Sequence, residues 1–217
     1  MIFMEAPVQR LKLTLINYMP DRIHQMRMRG ELRRWKCNGD ADELPNLLKQ
    51  QTVRDYGRRF GLRMLVETGT FLGSMIQATQ ADFDRIVSIE LDPWLSARAQ
   101  RKFRSAGHIS VLQGDSASRL ASVLAAVSQP CIFWLDAHYS GGITARGPVD
   151  TPIVDELGQI LRHPLAGHVV LVDDARCFTG EMGYPAMADL EALVRTTRPE
   201  MEFHSNQGII RIHPRTR

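Results

Sequence analysis

Val66-Glu67-Thr68-Gly69-Thr70-Phe71-Leu72-Gly73 decides the fold, because it joins the apolar run Met64-Leu65-Val66 to a following helical segment. Its glycines lack a Cβ, so the backbone can adopt positive φ and approach a ligand closely. Ligands of open α/β sheets lie outside the carboxyl ends of the strands, where this loop is expected. A dinucleotide-binding loop would read GxGxxG, whereas Glu67 stands two residues before Gly69, in the place of a glycine. An acid at this position favours a positively charged ligand over a phosphate.

Apolar runs of strand length alternate with amphipathic segments from residue 44 onward, which is typical of a parallel α/β sheet. Most runs are continuously apolar, as expected of strands covered on both faces. The predicted strands are Met64–Val66, Arg85–Ile89, Ile109–Leu112, Cys131–Leu135 and Val169–Val172, followed by an antiparallel pair, Met201–Phe203 and Gly208–Ile212. The predicted fold class is therefore α/β, a doubly wound, mostly parallel sheet of seven strands with a C-terminal antiparallel pair.

The overall composition is that of an ordinary globular protein with one domain. Its 217 residues are 44% hydrophobic and 24% charged, and no uninterrupted apolar run reaches the length of about eighteen residues needed to span a membrane. The start of the chain lacks the pattern of a secretory signal, which predicts a cytoplasmic protein. Three widely spaced cysteines without a CxxC pair indicate neither a disulfide framework nor a zinc site.

Residues 1–43 are predicted to form a basic arm outside the domain of residues 44–217. Residues 1–36 carry eight Lys/Arg and three Asp/Glu, whereas the whole chain has a net charge of only +3. Such an arm can contact nucleic acid, a phosphorylated substrate or an anionic surface. A solvated face, or an arm that joins two copies in a homodimer, is the simpler interpretation and the one we favour.

Three further strand ends carry polar residues. Ile89-Glu90 ends the second strand, Gln113-Gly114-Asp115-Ser116 the third, and Leu135-Asp136-Ala137-His138-Tyr139 the fourth. Together with the E-x-G-x-x-x-G pattern of Glu67 to Gly73, this order resembles the class I S-adenosylmethionine-dependent methyltransferases over about residues 60 to 215. The resemblance implies a Rossmann-like fold, with S-adenosylmethionine as the cofactor bound across these strand ends.

The same resemblance implies a role for each strand end. Glu90 would accept hydrogen bonds from the two ribose hydroxyls of the donor, and Asp136 would lie beside the methyl group. The implied cofactor-binding residues are Glu67, Gly69, Thr70, Gly73, Glu90, Gly114, Asp115, Ser116 and Asp136. Plainer interpretations stay open: Glu67 and Glu90 as solvated strand ends, and Asp115 or Ser116 as the cap of the next helix.

A second group of acids follows the fourth and fifth strands. Asp136 and Asp173 end neighbouring strands about 4.8 Å apart, and Asp174 can join them only if the chain has already turned out of its strand. Clustered carboxylates need a cation, and all-oxygen sites favour Mg²⁺, Ca²⁺ or Mn²⁺. The set resembles the metal-dependent O-methyltransferases of catechols and macrolide sugars, which implies Asp136, Asp173 and Asp174 as Mg²⁺ ligands. The segment Ser140–Asp150 departs from that pattern, and the alternative is that Asp173 or Asp174 caps the following turn.

His138 begins a glycine-containing loop that would cover the donor. It is placed to act as a general base beside Asp136, although a hydrogen-bonded structural histidine is the alternative. Arg146 in the same loop can bind an anionic group of the substrate. The predicted function is transfer of a methyl group from S-adenosylmethionine to a hydroxyl of a small molecule, a sugar or natural product, assisted by a divalent metal.

Other functions are weighed against this one. Asp136-Ala137-His138-Tyr139 has the outline of the D/N-P-P-Y motif, which with the basic arm favours an N-methyltransferase acting on nucleic acid or another amine, although both prolines are missing. A non-catalytic nucleotide-binding or scaffold protein is the alternative from another class. Glu67 stands in place of a glycine of the dinucleotide-binding loop, which argues against a nicotinamide oxidoreductase. His138 stands two residues before Ser140, where a hydrolase with a G-x-S-x-G motif would have glycine.

Overall fold

The computed structural model describes residues 26, 29–35, 44–137 and 151–215. Its strands are β1 Met64–Thr68, β2 Arg85–Glu90, β3 Ile109–Gln113, β4 Ile132–Leu135, β5 Val169–Val172, β6 Met201–Asn206 and β7 Ile209–Pro214. Its helices are α1 Asn46–Arg59, α2 Ser74–Thr79, α3 Pro93–Phe103, α4 Ser116–Ala125, α5 Ile153–Arg162 and α6 Met187–Thr197, with a short 3₁₀ turn at Ala175–Cys177. Residues 29–35 of the basic arm are also helical. Within these ranges, no helix combines the length and apolar character that crossing a membrane requires.

The strands form one sheet in the order β3-β2-β1-β4-β5-β7-β6. Strands β1 to β5 pair in parallel, whereas β7 runs antiparallel to both β5 and β6. The predicted fold class is confirmed. Because the strand order reverses between β1 and β4, the position at which open α/β sheets bind ligands lies at the carboxyl ends of these two strands.

Both faces of the central sheet are covered, as the continuous apolar runs predict. Every residue of β1, β4 and β5 is buried. On one face, Leu120 of α4 and Leu157 of α5 belong to a core that includes Val66 and Phe133. On the other face, Val53 of α1 belongs to a second core. Packing on two sides fixes the strands, and with them the positions of their carboxyl ends.

Strands β6 and β7 form a tight hairpin at the far edge of the sheet. Asn206 pairs with Ile209, so the loop between them consists of Gln207 and Gly208. These two residues have φ of 48° and 70°. Positive φ at both positions is the type I′ conformation, which matches the twist of paired strands. The predicted antiparallel pair is confirmed, with both strands longer than the sequence indicated.

Candidate active site

Among the described residues, those predicted at the ends of the parallel strands lie side by side along the carboxyl edge of the sheet. Backbone hydrogen bonds continue the parallel ladder past the strand ends: Gly69 N and Gly114 N each donate to a carbonyl of β2 at 2.9 Å. Asp136 N donates to the last carbonyl of β1 at 3.0 Å, and Asp173 N to the last carbonyl of β4 at 3.0 Å. The ends of all five parallel strands therefore form one continuous row.

The loop after β1 packs directly on the end of β4. Gly69 has a φ of +86°, and a Cβ at this position would lie 2.4 Å from the carbonyl oxygen of Asp136. Gly73 precedes α2 with a φ of +70°, and a Cβ there would lie 2.7 Å from the ring of Phe103. Both positions need glycine for the backbone conformation and for space. Gly69 thus sets the distance between the ends of β1 and β4.

Glu67 is a buried acid, only 2% exposed. Ser88 Oγ donates to Glu67 Oε2 at 2.5 Å, and Thr70 Oγ1 lies 2.5 Å from the same serine oxygen. Burial raises the pKa of Glu67 to about 8, with the charges of Asp136 and Glu90 adding to the rise and the Ser88 hydrogen bond opposing it. The interpretation of Glu67 as a solvated strand end is wrong. A positive charge placed beside it would favour the ionised carboxylate.

Glu90 is also buried, so the solvated interpretation is wrong here as well. Its carboxylate accepts hydrogen bonds from Phe71 N at 2.7 Å and from Asp92 N at 2.9 Å. Burial raises the pKa of Glu90, and these backbone bonds oppose the rise. A carboxylate offers about four acceptor positions. Two backbone bonds therefore leave Glu90 with acceptor capacity for the hydroxyls of a ligand.

The loop after β3 is shaped by helix capping. Asp115 Oδ2 accepts from Ser118 N at 2.9 Å and from Ser118 Oγ at 2.8 Å, which makes Asp115 the cap of α4. Ser116 is buried and is the first helical residue, so its alternative role as the cap is wrong. Gly114 has a φ of +142° and lies against the flexible side chain of Arg119. The loop is held from within, at the edge of the site.

Asp173 is paired with a lysine that the sequence did not identify. Lys49 Nζ, from α1, lies 2.5 Å from Asp173 Oδ2, and the two side chains are 5% and 1% exposed. Burial and the charges of Asp136 and Asp174 raise the pKa of Asp173, while Lys49 opposes this rise. The pair places a buried ammonium group among the acids of the carboxyl edge.

The chain has already left β5 at Asp174. This is the condition under which the Asp174 side chain can lie on the same side as Asp173. Its backbone is left-handed, with φ 50° and ψ 46°. Its carboxylate lies 4.0 Å from the guanidinium of Arg176. Asp174 makes no side-chain capping hydrogen bond to the 3₁₀ turn that follows. The interpretation of Asp174 as a cap is therefore wrong.

Comparisons with known proteins identify the fold. No family model and no curated protein matches the sequence. The SAH-bound Podospora anserina methyltransferase PaMTH1 matches with a TM-score of 0.57 and 16% identity, over 100% of this chain and 98% of that one. An O-methyltransferase from Bacillus cereus in complex with SAH matches with a TM-score of 0.59 and 12% identity, over 86% and 90% of the two chains. This chain has the class I methyltransferase fold.

A third structure agrees with this methyltransferase fold. The O-methyltransferase TomG from Streptomyces achromogenes, in complex with SAM, matches with a TM-score of 0.53 and 16% identity, over 81% of this chain and 83% of that one. The resemblance predicted from the strand ends is thus confirmed at the level of the fold.

Within the methyltransferase fold, the acids implied as metal ligands do not form a compact set. In the described part of the chain, the one group of three His, Cys, Asp or Glu side chains whose ligand atoms lie within 4.8 Å of one another is on the β6–β7 hairpin. At Asp173, the Lys49 ammonium already pairs with the carboxylate. A divalent ion would have to share this buried space with a second positive charge. As arranged here, Asp136, Asp173 and Asp174 do not fit a divalent ion.

Glu156 of α5 is a further buried acid at this edge that was not predicted from the sequence. It is 1% exposed, and its Oε1 has no hydrogen-bond partner among the described residues. Burial raises the pKa of Glu156 to about 7, and the charges of Asp115 and Asp136 add to the rise. Glu156 therefore increases the density of acids next to Asp136.

Lys49 and Glu156 share a signal that could have revealed them. Each stands on the core-facing stripe of an amphipathic helix, four residues before a buried apolar residue, Val53 and Ile160 respectively. Charged residues are rarely buried unless they have a partner or a function. A charge on an apolar stripe is thus a marker for a buried polar site.

Several predicted features lie outside the described residues. These are His138, the proposed general base, and Arg146 with the rest of the glycine-containing loop. Most of the basic arm also lies outside them.

Proposed function

We propose that this protein binds S-adenosylmethionine at the carboxyl edge of its sheet and transfers the methyl group to a hydroxyl of a small molecule. The observation that carries the proposal is the convergence of Glu67, Glu90 and Asp136 where the strand order reverses, with the pKa of both glutamates raised by burial. Buried acids that repel one another favour a cationic ligand. The donor carries a sulfonium and an ammonium group, whereas NAD would bring further negative charge.

The donor is proposed to lie across the ends of the parallel strands, with its amino acid portion near Gly69 and its ribose at Glu90. The proposed cofactor-binding residues are Glu67, Gly69, Thr70, Gly73, Glu90, Gly114, Asp115, Ser116 and Asp136. The acceptor capacity of Glu90 supports the ribose contact, and the burial of Glu67 supports a role in balancing positive charge. Since Asp115 caps α4, its contribution would be to hold the adenine-side loop in place.

In this reaction the protein mainly aligns the acceptor and removes one proton from it. When bound, S-adenosylmethionine supplies a methyl group on a sulfonium, which an oxygen nucleophile attacks in line. Alignment alone can contribute about 7–11 kcal/mol of the barrier. Asp136, at the end of β4, and His138, two residues later, are the proposed catalytic residues, with His138 accepting the hydroxyl proton. Since the Lys49 ammonium already pairs with Asp173, we propose that methyl transfer proceeds without a divalent ion.

Solved proteins with a similar fold support a hydroxyl as the acceptor. The Bacillus cereus and Streptomyces achromogenes proteins are both O-methyltransferases. The alternative, an N-methyltransferase acting on nucleic acid, is tested in the same assay.

The proposal is tested by following a labelled methyl group. From a panel of sugars, phenols, macrolides, amines and nucleic acid, we expect transfer from S-adenosylmethionine into the hydroxylated small molecules, with SAH as the second product. EDTA is expected to leave turnover unchanged. Label found only in amines or nucleic acid would replace the O-methyltransferase proposal with its alternative. Turnover lost in EDTA and restored by Mg²⁺ would show that the three acids hold a metal after all.

Donor affinity should depend on pH through Glu67. Since the pKa of Glu67 is about 8 without ligand, the group is largely protonated at pH 7, and a bound cation favours proton release. Affinity should therefore rise with pH up to about 8 and fall on acidification, by at most about tenfold per pH unit for one proton. Glu67→Gln, which can still accept from Ser88, should remove this slope in calorimetric titrations at several pH values. The exposed Glu181→Gln should keep it, and an unchanged slope in Glu67→Gln would contradict the assignment.

A further inference from the structure

A cluster of potential metal ligands lies on the β6–β7 hairpin, away from the proposed donor site. Glu202 pairs with His213 across the two strands, and His204 follows two residues after Glu202 on the same face of β6. One ligand atom from each of the three side chains lies within 4.8 Å of the others. His213 follows Ile212, which pairs with Val170 near the start of β5. The cluster is thus at the amino edge of the sheet, opposite Asp173.

His213 is held in an orientation that suits a metal ligand. Its Nδ1 lies 2.9 Å from the carbonyl oxygen of Pro214, which can only accept, so Nδ1 donates to it and the neutral imidazole in this tautomer presents the Nε2 lone pair. The residue is 1% exposed, and Nε2 has no hydrogen-bond partner among the described residues. Metal-binding histidines typically donate their other ring nitrogen to a carbonyl or carboxylate in this way.

The other two ligands can move to complete a coordination sphere. Glu202 Oε2 lies 3.8 Å from His213 Nε2, and the Glu202 side chain is 43% exposed. Ligands of a tetrahedral zinc ion, at about 2.0–2.1 Å from the metal, lie about 3.4 Å from one another. A small rotation of the exposed His204 and Glu202 side chains therefore suffices, while the buried His213 stays in place.

The cluster contains one carboxylate, and two guanidiniums, those of Arg211 and Arg59, lie near His204. Arg211 is held by the carbonyl oxygen of Ile209 at 2.9 Å. Arg59 lies over the ring of Phe60. Both guanidiniums are thus engaged elsewhere.

We propose that Glu202, His204 and His213 form a binding site for Zn²⁺. Two imidazoles and one carboxylate are a ligand set that suits zinc and disfavours Mg²⁺ or Ca²⁺, which take oxygen ligands. The bound ion ties the edge strand β6 to β7 and satisfies the buried nitrogen of His213. Its fourth position is left for water.

The test is a titration of the EDTA-treated, dialysed full-length protein with ZnCl₂, followed by calorimetry and by thermal unfolding. The wild type should bind one Zn²⁺ per chain and unfold at a higher temperature with zinc present. His204→Gln and Glu202→Gln, both at accessible positions where folding is preserved, should weaken zinc binding by at least about tenfold. Co²⁺ should give the visible absorption of a tetrahedral site in the wild type and not in these two variants.

Matched controls separate this site from unspecific binding. Glu200→Gln makes the same change of charge two residues earlier. His108→Gln removes a histidine next to β3, at the opposite edge of the sheet. Both variants should bind zinc as the wild type does. A wild type without zinc affinity would overturn the proposal. Equal zinc affinity in His204→Gln, Glu202→Gln and the wild type would overturn it as well.

Discussion

Replacing Lys49 with methionine is expected to lower the free energy of unfolding by about 3–5 kcal/mol. The change leaves the carboxylate of Asp173 buried without its ammonium partner, which now lies 2.5 Å away. Urea denaturation followed by circular dichroism measures the loss directly. The double variant Lys49→Met/Asp173→Leu should recover most of it, because an apolar pair of similar volume leaves no buried charge unpaired.

An exposed ion pair provides the control for this effect. Arg63 and Asp84 are 2.6 Å apart, with side chains 54% and 66% exposed. Arg63→Met should lower the free energy of unfolding far less than Lys49→Met does, because water screens the pair and solvates the remaining carboxylate. If Lys49→Met were no more harmful than Arg63→Met, the buried pair would not have the role assigned to it.

Gly69→Ala is expected to weaken S-adenosylmethionine binding and to slow methyl transfer by about a hundredfold, the scale on which a displacement of about 1 Å slows an aligned reaction. The added Cβ would lie 2.4 Å from the carbonyl oxygen of Asp136, so the ends of β1 and β4 must move apart. Because φ is +86° at this position, the backbone of the alanine variant is also strained, by about 1–2 kcal/mol. Calorimetric titration with the donor and urea denaturation measure the two effects separately.

Gly61→Ala isolates the backbone component of this prediction. Gly61 has a φ of +64°, with nothing within 4 Å of an added Cβ, and it lies outside the proposed site. It should show a similar loss of stability from strain and unchanged donor affinity. Donor affinity preserved in Gly69→Ala would contradict the placement of the donor against this loop.

The row of strand ends could be predicted because it depends on short-range patterns. Apolar runs end where polar residues such as Glu90 and Asp136 begin, and neighbouring parallel strands end at the same edge of a sheet. The hairpin could be predicted in the same way, from the turn-like residues Ser205-Asn206-Gln207-Gly208 between its strands. In the loop after β3, the sequence left open whether Asp115 or Ser116 caps the next helix, since both residue types cap helices.

The buried charges could not be placed from local patterns alone. Lys49 reaches Asp173 across 124 positions of the chain, and only the packing of α1 on the sheet brings them together. The same holds for Glu156, which the packing of α5 brings close enough to Asp136 for their charges to interact. Glu202 and His213 are different, because the two-residue turn fixes their pairing. Taken one at a time along the sequence, the histidines give no sign of this cluster.

The central claim is that a cationic donor binds where the buried acids converge, and calorimetric titration of the folded protein with S-adenosylmethionine tests it most directly. We predict one donor molecule per chain, displaced by SAH, with weaker binding in Glu90→Gln and no heat from NAD. A folded protein without affinity for either S-adenosylmethionine or SAH would contradict the account.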